Sequence, residues 1–201
     1  MTEGTGRMDA FSDGVFAIAI TLLILEVRLQ HAGADGSLSA SLVALWPYYF
    51  AFALSFFVIL VTWIAHHDLM RLVRATSRPV QLANGCALLY VTLIPFPTAV
   101  LAAHLGGAEA STAAAFYCGT FVLGSGAFNL LVATISRGHL FRPEVDAQTI
   151  GRIRRGYQMT FVTYVAATLL ALVAPFLALA LTVAVRVHLL RMRYEPVPAV
   201  P

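Results

Sequence analysis

Long apolar runs divide the chain, and the short segments between them hold most of its charged residues. A helix needs about 20 apolar residues to cross the ~30 Å hydrocarbon core of a bilayer. Of all residues, 59% are hydrophobic and 11% are charged, against roughly 25% charged in ordinary globular proteins. The sequence therefore predicts an all-α, polytopic membrane protein and excludes a soluble enzyme. The apolar runs cover residues 11–29, 46–65, 79–103, 111–135 and 157–190.

The last apolar run is too long for one crossing, because about 34 residues would form a helix of roughly 51 Å. Pro175 lies near its middle, and proline interrupts a helix interior but suits a first turn. The run is therefore predicted to form two helices joined by a turn, which gives six transmembrane helices. Pro47 suits the first turn of the second span, whereas Pro95 and Pro97 predict a kink in the third.

The distribution of arginine predicts the orientation, because arginine accumulates in short loops on the cytoplasmic side. All 13 basic residues are arginine, and they are spread between the apolar runs, so a nucleic-acid partner is not indicated. With the N-terminus inside, only Arg28 lies outside. This predicts an even number of crossings in the inner (plasma) membrane of the cell, with both termini cytoplasmic. The cytoplasmic set is Arg7, Arg71, Arg74, Arg78, Arg137, Arg142, Arg152, Arg154, Arg155, Arg186, Arg191 and Arg193.

The first apolar run also has features of a cleavable signal peptide, namely Arg7, a short apolar core and Ala-Gly-Ala at residues 32–34. Cleavage would leave the later topology unchanged, and Asp13 within the run argues against it. We expect residues 1–193 to form one membrane domain and the proline-rich residues 194–201 to form a flexible tail.

Asp13 is a carboxylate within the first span, and a buried carboxylate in a membrane needs a partner. Trp63 and His67 lie at i and i+4 in the second span, at the same predicted depth, and both offer N–H donors to Asp13 or to the Ser12 hydroxyl. The Arg7 guanidinium is a further donor. This pattern predicts a clamp between the first two helices rather than a catalytic set, because no nucleophile accompanies it.

One face of the first helix carries a continuous stripe. At ~100° per residue its members share one side, and Asp13 lies about 140° from Ile18. Spacing alone favours core packing or lipid contact for this face, with the Thr21 hydroxyl bonded to the preceding turn. The stripe comprises Phe11, Gly14, Val15, Ile18, Thr21, Leu22, Leu25 and Leu29.

A metal site is weakly indicated. His66, His67 and Asp68 are consecutive, but adjacent histidines on a helix point about 100° apart and cannot chelate one ion together. Cys86 and Cys118 each lie inside an apolar run, which is typical of small core residues rather than of a disulfide.

Small and amide side chains within the spans predict contacts between helices. Ala115, Gly119 and Gly124 suggest close packing of the fourth span, and Asn84 and Asn129 suggest interhelical hydrogen bonds. The chain carries no Thr-Val-Gly-Tyr-Gly filter, Gly-x-Ser-x-Gly or His-Glu-x-x-His motif. Those chemistries therefore have no support in the sequence.

With these residues assembled, residues 7–25 resemble the signature of the transmembrane protein 175 family, potassium channels known from lysosomes and their smaller prokaryotic relatives. The signature is Arg-x-x-x-Phe-Ser-Asp, and the next ten residues, Gly-Val-Phe-Ala-Ile-Ala-Ile-Thr-Leu-Leu, are similar to the prokaryotic branch. The residues that carry the resemblance are Arg7, Phe11, Ser12 and Asp13, supported by Trp63, His67, Asn84 and Pro95-Phe96-Pro97-Thr98.

The resemblance implies a homotetramer in the lipid bilayer, because prokaryotic members with one signature per chain assemble as four copies. Their first helices line a central pore without a re-entrant filter. The resemblance implies that Ile18 forms the narrowest constriction, that Leu22 and Leu25 form further rings, and that Thr21 contributes to selectivity. It implies a supporting network at the cytoplasmic mouth made of Arg7, Phe11, Ser12, Asp13, Trp63 and His67.

The implied function is potassium-selective, leak-type conduction, with no enzyme activity and no cofactor besides the permeant potassium ion. Crossing an isoleucine ring distorts the hydration shell of a cation, which costs less for potassium than for sodium, so modest selectivity is expected. Glu26 near the external mouth would attract cations. The alternatives are a proton-permeable channel, a small secondary transporter using the proline region at 95–97, and a membrane enzyme using residues 66–68.

Overall fold

The computed structural model describes residues 5–27 and 37–191. Within those ranges the chain is helical, apart from short connections and one isolated pairing of extended residues. The predictions for Arg28, Leu29, residues 32–34, Arg193 and the tail fall outside these ranges. The helices are α1 Gly6–Leu22, continued by a 3₁₀ turn Leu23–Glu26, then α2 Leu38–Ala44, α3 Trp46–Arg71, α4 Arg78–Leu93, α5 Pro95–His104, α6 Ala110–Arg137, α7 Ala147–Ala171 and α8 Pro175–Arg191.

Four helical segments are long and apolar enough to cross a membrane. They are α1 with its 3₁₀ turn, α3, the continuous α4–α5 segment and α6. The remaining two predicted spans correspond to α7 and to α8, which is a shorter apolar helix. The all-helical membrane fold is therefore supported, whereas the count of six crossings goes beyond what helix length and composition give.

Pro175 divides the last apolar run as predicted, because α7 ends at Ala171 and α8 begins at Pro175. The start of α7 differs from the prediction: it begins at Ala147, ten residues before Tyr157. Asp146 explains the difference, because its Oδ1 accepts a hydrogen bond from the Thr149 main-chain N–H at 2.7 Å and caps the helix. Hydrogen bonds from the Thr149 side chain and main chain hold the pKa of Asp146 below its ordinary value. The apolar pattern alone missed these polar first turns.

The helices pack around a core in which α6 is central. Helix α6 packs most extensively against α7 and α4, while α8 rests on α3, α6 and α7. Helix α1 lies on the other side of the bundle, against α3 and α4. Its buried face consists of Ser12, Phe16, Ala19 and Leu23.

The connections at one end of the bundle are tied together by main-chain hydrogen bonds. The Arg74 N–H donates to the Leu140 carbonyl at 2.9 Å, and the Arg142 N–H donates to the Leu72 carbonyl at 2.8 Å. Val73 and Phe141 pair between these bonds in antiparallel fashion. The end of α3 is thus fixed to the connection that leads into α7.

The small residues of α6 lie at helix contacts. A Cβ built on Gly124 would overlap the ring of Tyr90 on α4, whereas a Cβ on Gly119 would lie 3.7 Å from Thr168 on α7, an ordinary contact. Gly124 therefore permits the close approach of α4 and α6.

We expect Gly124→Ala to lower the thermal unfolding midpoint, because the Tyr90 ring must move. Overpacking of this kind costs about 1–3 kcal/mol. Gly126→Ala is the matched control on the same helix, since its Cβ would lie 3.8 Å from Phe161. Equal midpoints for the two variants in detergent would contradict the close approach.

Candidate functional site

Helix α1 has one packed face and one open face. Phe11, Ile18 and Leu25 expose 67%, 61% and 58% of their surface, and Leu22 exposes 43%. Ile18 therefore does not point into the interior of its own subunit. Because Phe16 and Ala19 are buried on the opposite side, the apolar stripe is not core packing within one chain.

The polar members of α1 near this stripe lie toward the end of the helix. The Thr21 hydroxyl donates to the Ile18 carbonyl at 2.9 Å, as expected for threonine on a helix, and its side chain is exposed. Glu26 is half-buried at the end of the 3₁₀ turn.

The 3₁₀ turn changes the register of the stripe. A 3₁₀ helix has three residues per turn, so side chains at i and i+3 eclipse each other. In ideal 3₁₀ geometry Leu25 follows Leu22 on nearly the same side of the helix, and both side chains are exposed.

The other end of α1 is held by a hydrogen-bonded network. The Trp63 indole Nε1–H donates to Asp13 Oδ1 at 2.8 Å, which joins α1 to α3 as the spacing suggested. The Ser12 hydroxyl donates to the Met8 carbonyl at 2.8 Å and accepts from Asn84 Nδ2 at 3.0 Å, which joins α1 to α4. His66 Nε2 lies 2.7 Å from Asn84 Oδ1. Because an amide oxygen only accepts, His66 carries its proton on Nε2.

The histidine in this network is His66, which is 2% exposed. His67 is exposed and lies beside Trp63, with ring centroids 6.0 Å apart. His66 and His67 are three and four residues after Trp63, so both are neighbours of Trp63 on the helix surface. The buried residues Ile59, Thr62 and His66 follow helical spacing, and His67 falls outside that buried series.

Arg7 and Phe11 lie on the exposed side of α1. They line a surface cleft with Gln81, Asn84 and Gly85 of α4. The structure therefore brings Ser12, Asp13 and Trp63 together and leaves Arg7 and Phe11 at the edge of the network.

The prediction that Arg186 belongs to a cytoplasmic loop is wrong. Arg186 lies within α8 and is only 5% exposed. Its Nη1 donates to Thr62 Oγ1 at 2.9 Å and its Nη2 to the Tyr90 hydroxyl at 3.1 Å. Its guanidinium also lies over the rings of Phe121 and Tyr164, 5.5 Å and 5.3 Å from their centroids. The rule that assigns arginine to loops failed because hydroxyl and aromatic groups from four helices surround this one.

Three further polar contacts cross the bundle interior. The Ser55 hydroxyl lies 2.7 Å from Thr98 Oγ1 and 2.8 Å from the Tyr117 hydroxyl, which connects α3, α5 and α6. Asn129 Nδ2 donates to the Tyr157 carbonyl at 2.9 Å, the interhelical role expected for this asparagine. No group of three His, Cys, Asp or Glu residues that could hold a metal ion occurs in the described part of the chain.

We expect Trp63→Phe to lower the free energy of unfolding by about 1.5–3 kcal/mol, because the variant keeps an aromatic ring but loses the donor to a charged carboxylate. Trp46→Phe is the control, since Trp46 lies on the same helix and is 47% exposed. Denaturant titration of both variants in detergent measures the difference. A Trp63 variant as stable as the Trp46 variant would show that the contact with Asp13 contributes nothing.

Comparison with known proteins shows that the chain is similar to proteins named as channels. The family model described as "Endosomal/lysosomal potassium channel TMEM175" matches residues 7–95. A protein of Chamaesiphon minutus named as a potassium channel is 41% identical over 179 residues, which cover 87% of each chain. A Streptomyces collinus protein, also named as a potassium channel, is 41% identical over 178 residues, 88% of this chain and 86% of the relative.

More distant relatives match a smaller part of the chain. The human protein named as the endosomal/lysosomal proton channel TMEM175 is 38% identical over 97 residues, 44% of this chain and 19% of the human protein. Among solved structures, the crystal structure of a lysosomal potassium-selective channel TMEM175 homolog from Chamaesiphon minutus superposes with a TM-score of 0.81. It shares 37% identity and covers 93% of this chain and 96% of the homolog.

Proposed function

The chain belongs to the TMEM175 family, and from that membership we propose that it is a potassium-selective, leak-type ion channel. The similarity to bacterial proteins named as potassium channels extends over most of both chains. The observation that carries the proposal is the exposed apolar stripe of α1, formed by the part of the chain that the family model matches. An ion-conducting role needs no catalytic group and no cofactor besides the permeant ion.

We propose six membrane crossings with both termini in the cytoplasm of the cell and the protein in its plasma membrane. Helix α7 has 25 residues and α8 has 17, lengths of about 38 Å and 26 Å that suit a crossing. Four arginines at one end of the bundle support this orientation. They are Arg71 at the end of α3, Arg74 and Arg142 in the connections, and Arg152 in the first turns of α7. Loss of Arg186 from the cytoplasmic set leaves this bias intact.

The pore is proposed to form between four copies of the chain, each contributing α1. Within one subunit the opposite face of α1 packs on α3 and α4, and the exposed Phe11, Ile18 and Leu22 would meet their counterparts in other copies. Four Ile18 side chains would form the narrowest ring, with Leu22 and Leu25 as successive rings and Thr21 beside them. The hydrogen-bonded network on the packed face of α1 would fix the orientation of this helix. Its members are Ser12, Asp13, Trp63, His66 and Asn84.

An apolar ring restricts conduction by excluding water, so an ion must distort its hydration shell to pass. Sodium holds its shell more tightly than potassium does, which favours potassium without a carbonyl filter. The Thr21 oxygen is proposed to replace part of the lost hydration. Glu26 would raise the local cation concentration at the external mouth by electrostatic attraction.

Proton permeation is the second candidate, because the mammalian relatives are named as proton channels. The match to the human relative covers 44% of this chain. A secondary transporter is less favoured, since α4 and α5 form one continuous span across Pro95.

The experiment that tests the proposal measures ion flux through purified protein in liposomes. We expect potassium flux to exceed sodium flux, to increase linearly with the gradient and to require no counter-ion exchange. Native mass measurement in detergent is expected to give four subunits. Saturating exchange would indicate a transporter, a reversal potential that follows the pH gradient would indicate proton conduction, and a monomer would contradict the pore.

A further inference from the structure

Helices α7 and α8 enclose a surface groove of about 560 Å³ that the proposed ion pathway does not use. We propose that this α7–α8 groove binds a glycerophospholipid with a negatively charged headgroup. This inference rests on the membrane-spanning arrangement proposed above. The residues that carry it are Arg152, Arg155, Met159, Leu181, Val185 and His188.

The groove has a basic end and an apolar end. Arg152 and Arg155 lie in the first turns of α7, and His188 lies near the end of the antiparallel α8, so the three side chains share one end. Met159 lies about 6 Å farther along α7 than Arg155, at 1.5 Å per residue. Leu181 and Val185 face it from α8. A phospholipid has the matching order, because its charged headgroup would lie at the basic end and its acyl chain along the apolar end.

The charge at the basic end suits a phosphodiester. A guanidinium donates paired hydrogen bonds to phosphate oxygens, and basic pockets between helices near the cytoplasmic surface attract anionic lipids. Arg152 is held in place because its Nη2 donates to Thr149 Oγ1 at 2.9 Å. Glu144 and Asp146 precede α7, and the Asp146 carboxylate accepts from the Thr149 N–H. Asp68 of α3 lines a separate cleft with Tyr157 and Leu189. Arg154 adds a further positive charge on the same turns.

The position of the groove also favours a lipid over another subunit. Helix α1 packs on α3 and α4, whereas α7 packs on α6 and α8. The groove is therefore formed by two helices that do not pack extensively on α1, and in a tetramer assembled around α1 it would meet the bilayer. A soluble phosphate would fill the basic end but would leave the apolar lining from Met159 to Leu181 exposed.

The test compares binding of phosphatidylglycerol and phosphatidylcholine with identical acyl chains to purified protein, by native mass spectrometry in detergent. We expect phosphatidylglycerol to bind about tenfold more tightly or better, since each arginine near an anionic headgroup contributes about 1 kcal/mol. The double variant Arg152→Gln/Arg155→Gln should reduce this preference to less than about twofold. The control Arg137→Gln/Arg142→Gln removes two exposed arginines outside the groove and should keep the preference.

A second variant separates lipid binding from a charge effect alone. Leu181→Trp fills the apolar end, so it should weaken binding of phosphatidylglycerol while all arginines remain. This variant also tests lipid binding if the double arginine variant does not fold. Equal binding of both lipids, or full retention of binding by Leu181→Trp, would overturn the proposal.

Competition identifies the source of the phosphate. Glycerol 3-phosphate should not displace phosphatidylglycerol at equal concentration, and displacement would identify a site for soluble phosphates instead. The measurement is independent of ion flux. Protein that conducts potassium but shows no lipid preference would overturn this inference alone, whereas lipid preference without flux would overturn only the proposed function.

Discussion

Ile18→Asn is expected to raise both potassium and sodium flux through reconstituted protein by about tenfold or more. In the proposed tetramer it replaces four apolar side chains at the narrowest ring with amides that hold water. A cation then keeps more of its hydration shell, and each 1.36 kcal/mol removed from the barrier raises the rate tenfold. The ratio of potassium to sodium flux should fall, because discrimination arises from the same partial dehydration.

The matched control for this substitution is Leu123→Asn on α6. Leu123 is 67% exposed and Ile18 is 61% exposed, so both variants place an amide on an open helix face. Only the Ile18 variant should change flux. Fluxes and selectivity equal to those of the unsubstituted protein would show that Ile18 does not form the constriction, even if potassium conduction itself is established.

Arg186→Ala is expected to lower the free energy of unfolding by about 3–5 kcal/mol, measured by denaturant titration in detergent. The truncation leaves a space beside the Phe121 and Tyr164 rings and removes the donors to Thr62 and Tyr90. A lysine cannot restore both bonds, because its single ammonium group lacks the planar fork. Arg186→Lys should therefore recover only part of the loss.

Arg186→Met separates packing from charge. Methionine fills most of the same volume, and replacement of a buried charge by an apolar side chain is often far less damaging than its truncation. We therefore expect it to be more stable than Arg186→Ala. Phe176→Ala, at a position on α8 that is 56% exposed, is the control for loss of a large side chain. An Arg186→Ala variant as stable as Phe176→Ala would contradict the structural role of the guanidinium.

Apolar run length and proline position predict most of the helix pattern. They place Trp46 at the start of α3 and Pro175 at the start of α8, because these signals are local. The start of α7 was not predicted, since Asp146 caps a polar segment that lies before the apolar run. Helix capping acts through one main-chain hydrogen bond and leaves no trace in hydropathy.

The candidate site is predictable in part. The contact between Asp13 and Trp63 follows from helical spacing and from the cost of an unpaired carboxylate. Spacing also defined the stripe, but it did not separate core packing from the exposure that the structure gives. Spacing could not choose between His66 and His67, because their side of α3 is decided by neighbours that are distant in sequence. Arg186 was misplaced for the same reason, since its partners come from α3, α4, α6 and α7.

The 3₁₀ turn at Leu23–Glu26 gives the outer part of α1 a geometry of its own. A 3₁₀ helix advances about 2.0 Å and 120° per residue, whereas an α-helix advances about 1.5 Å and 100°. Rewinding this turn as an α-helix would rotate Leu25 by about 60° relative to Leu22 and move it about 1.5 Å along the helix axis toward Leu22. In the proposed tetramer, the width of the passage at Leu25 would therefore change by a local screw motion of this turn, while Ile18 would stay in place on the part of α1 that the Trp63–Asp13 hydrogen bond holds.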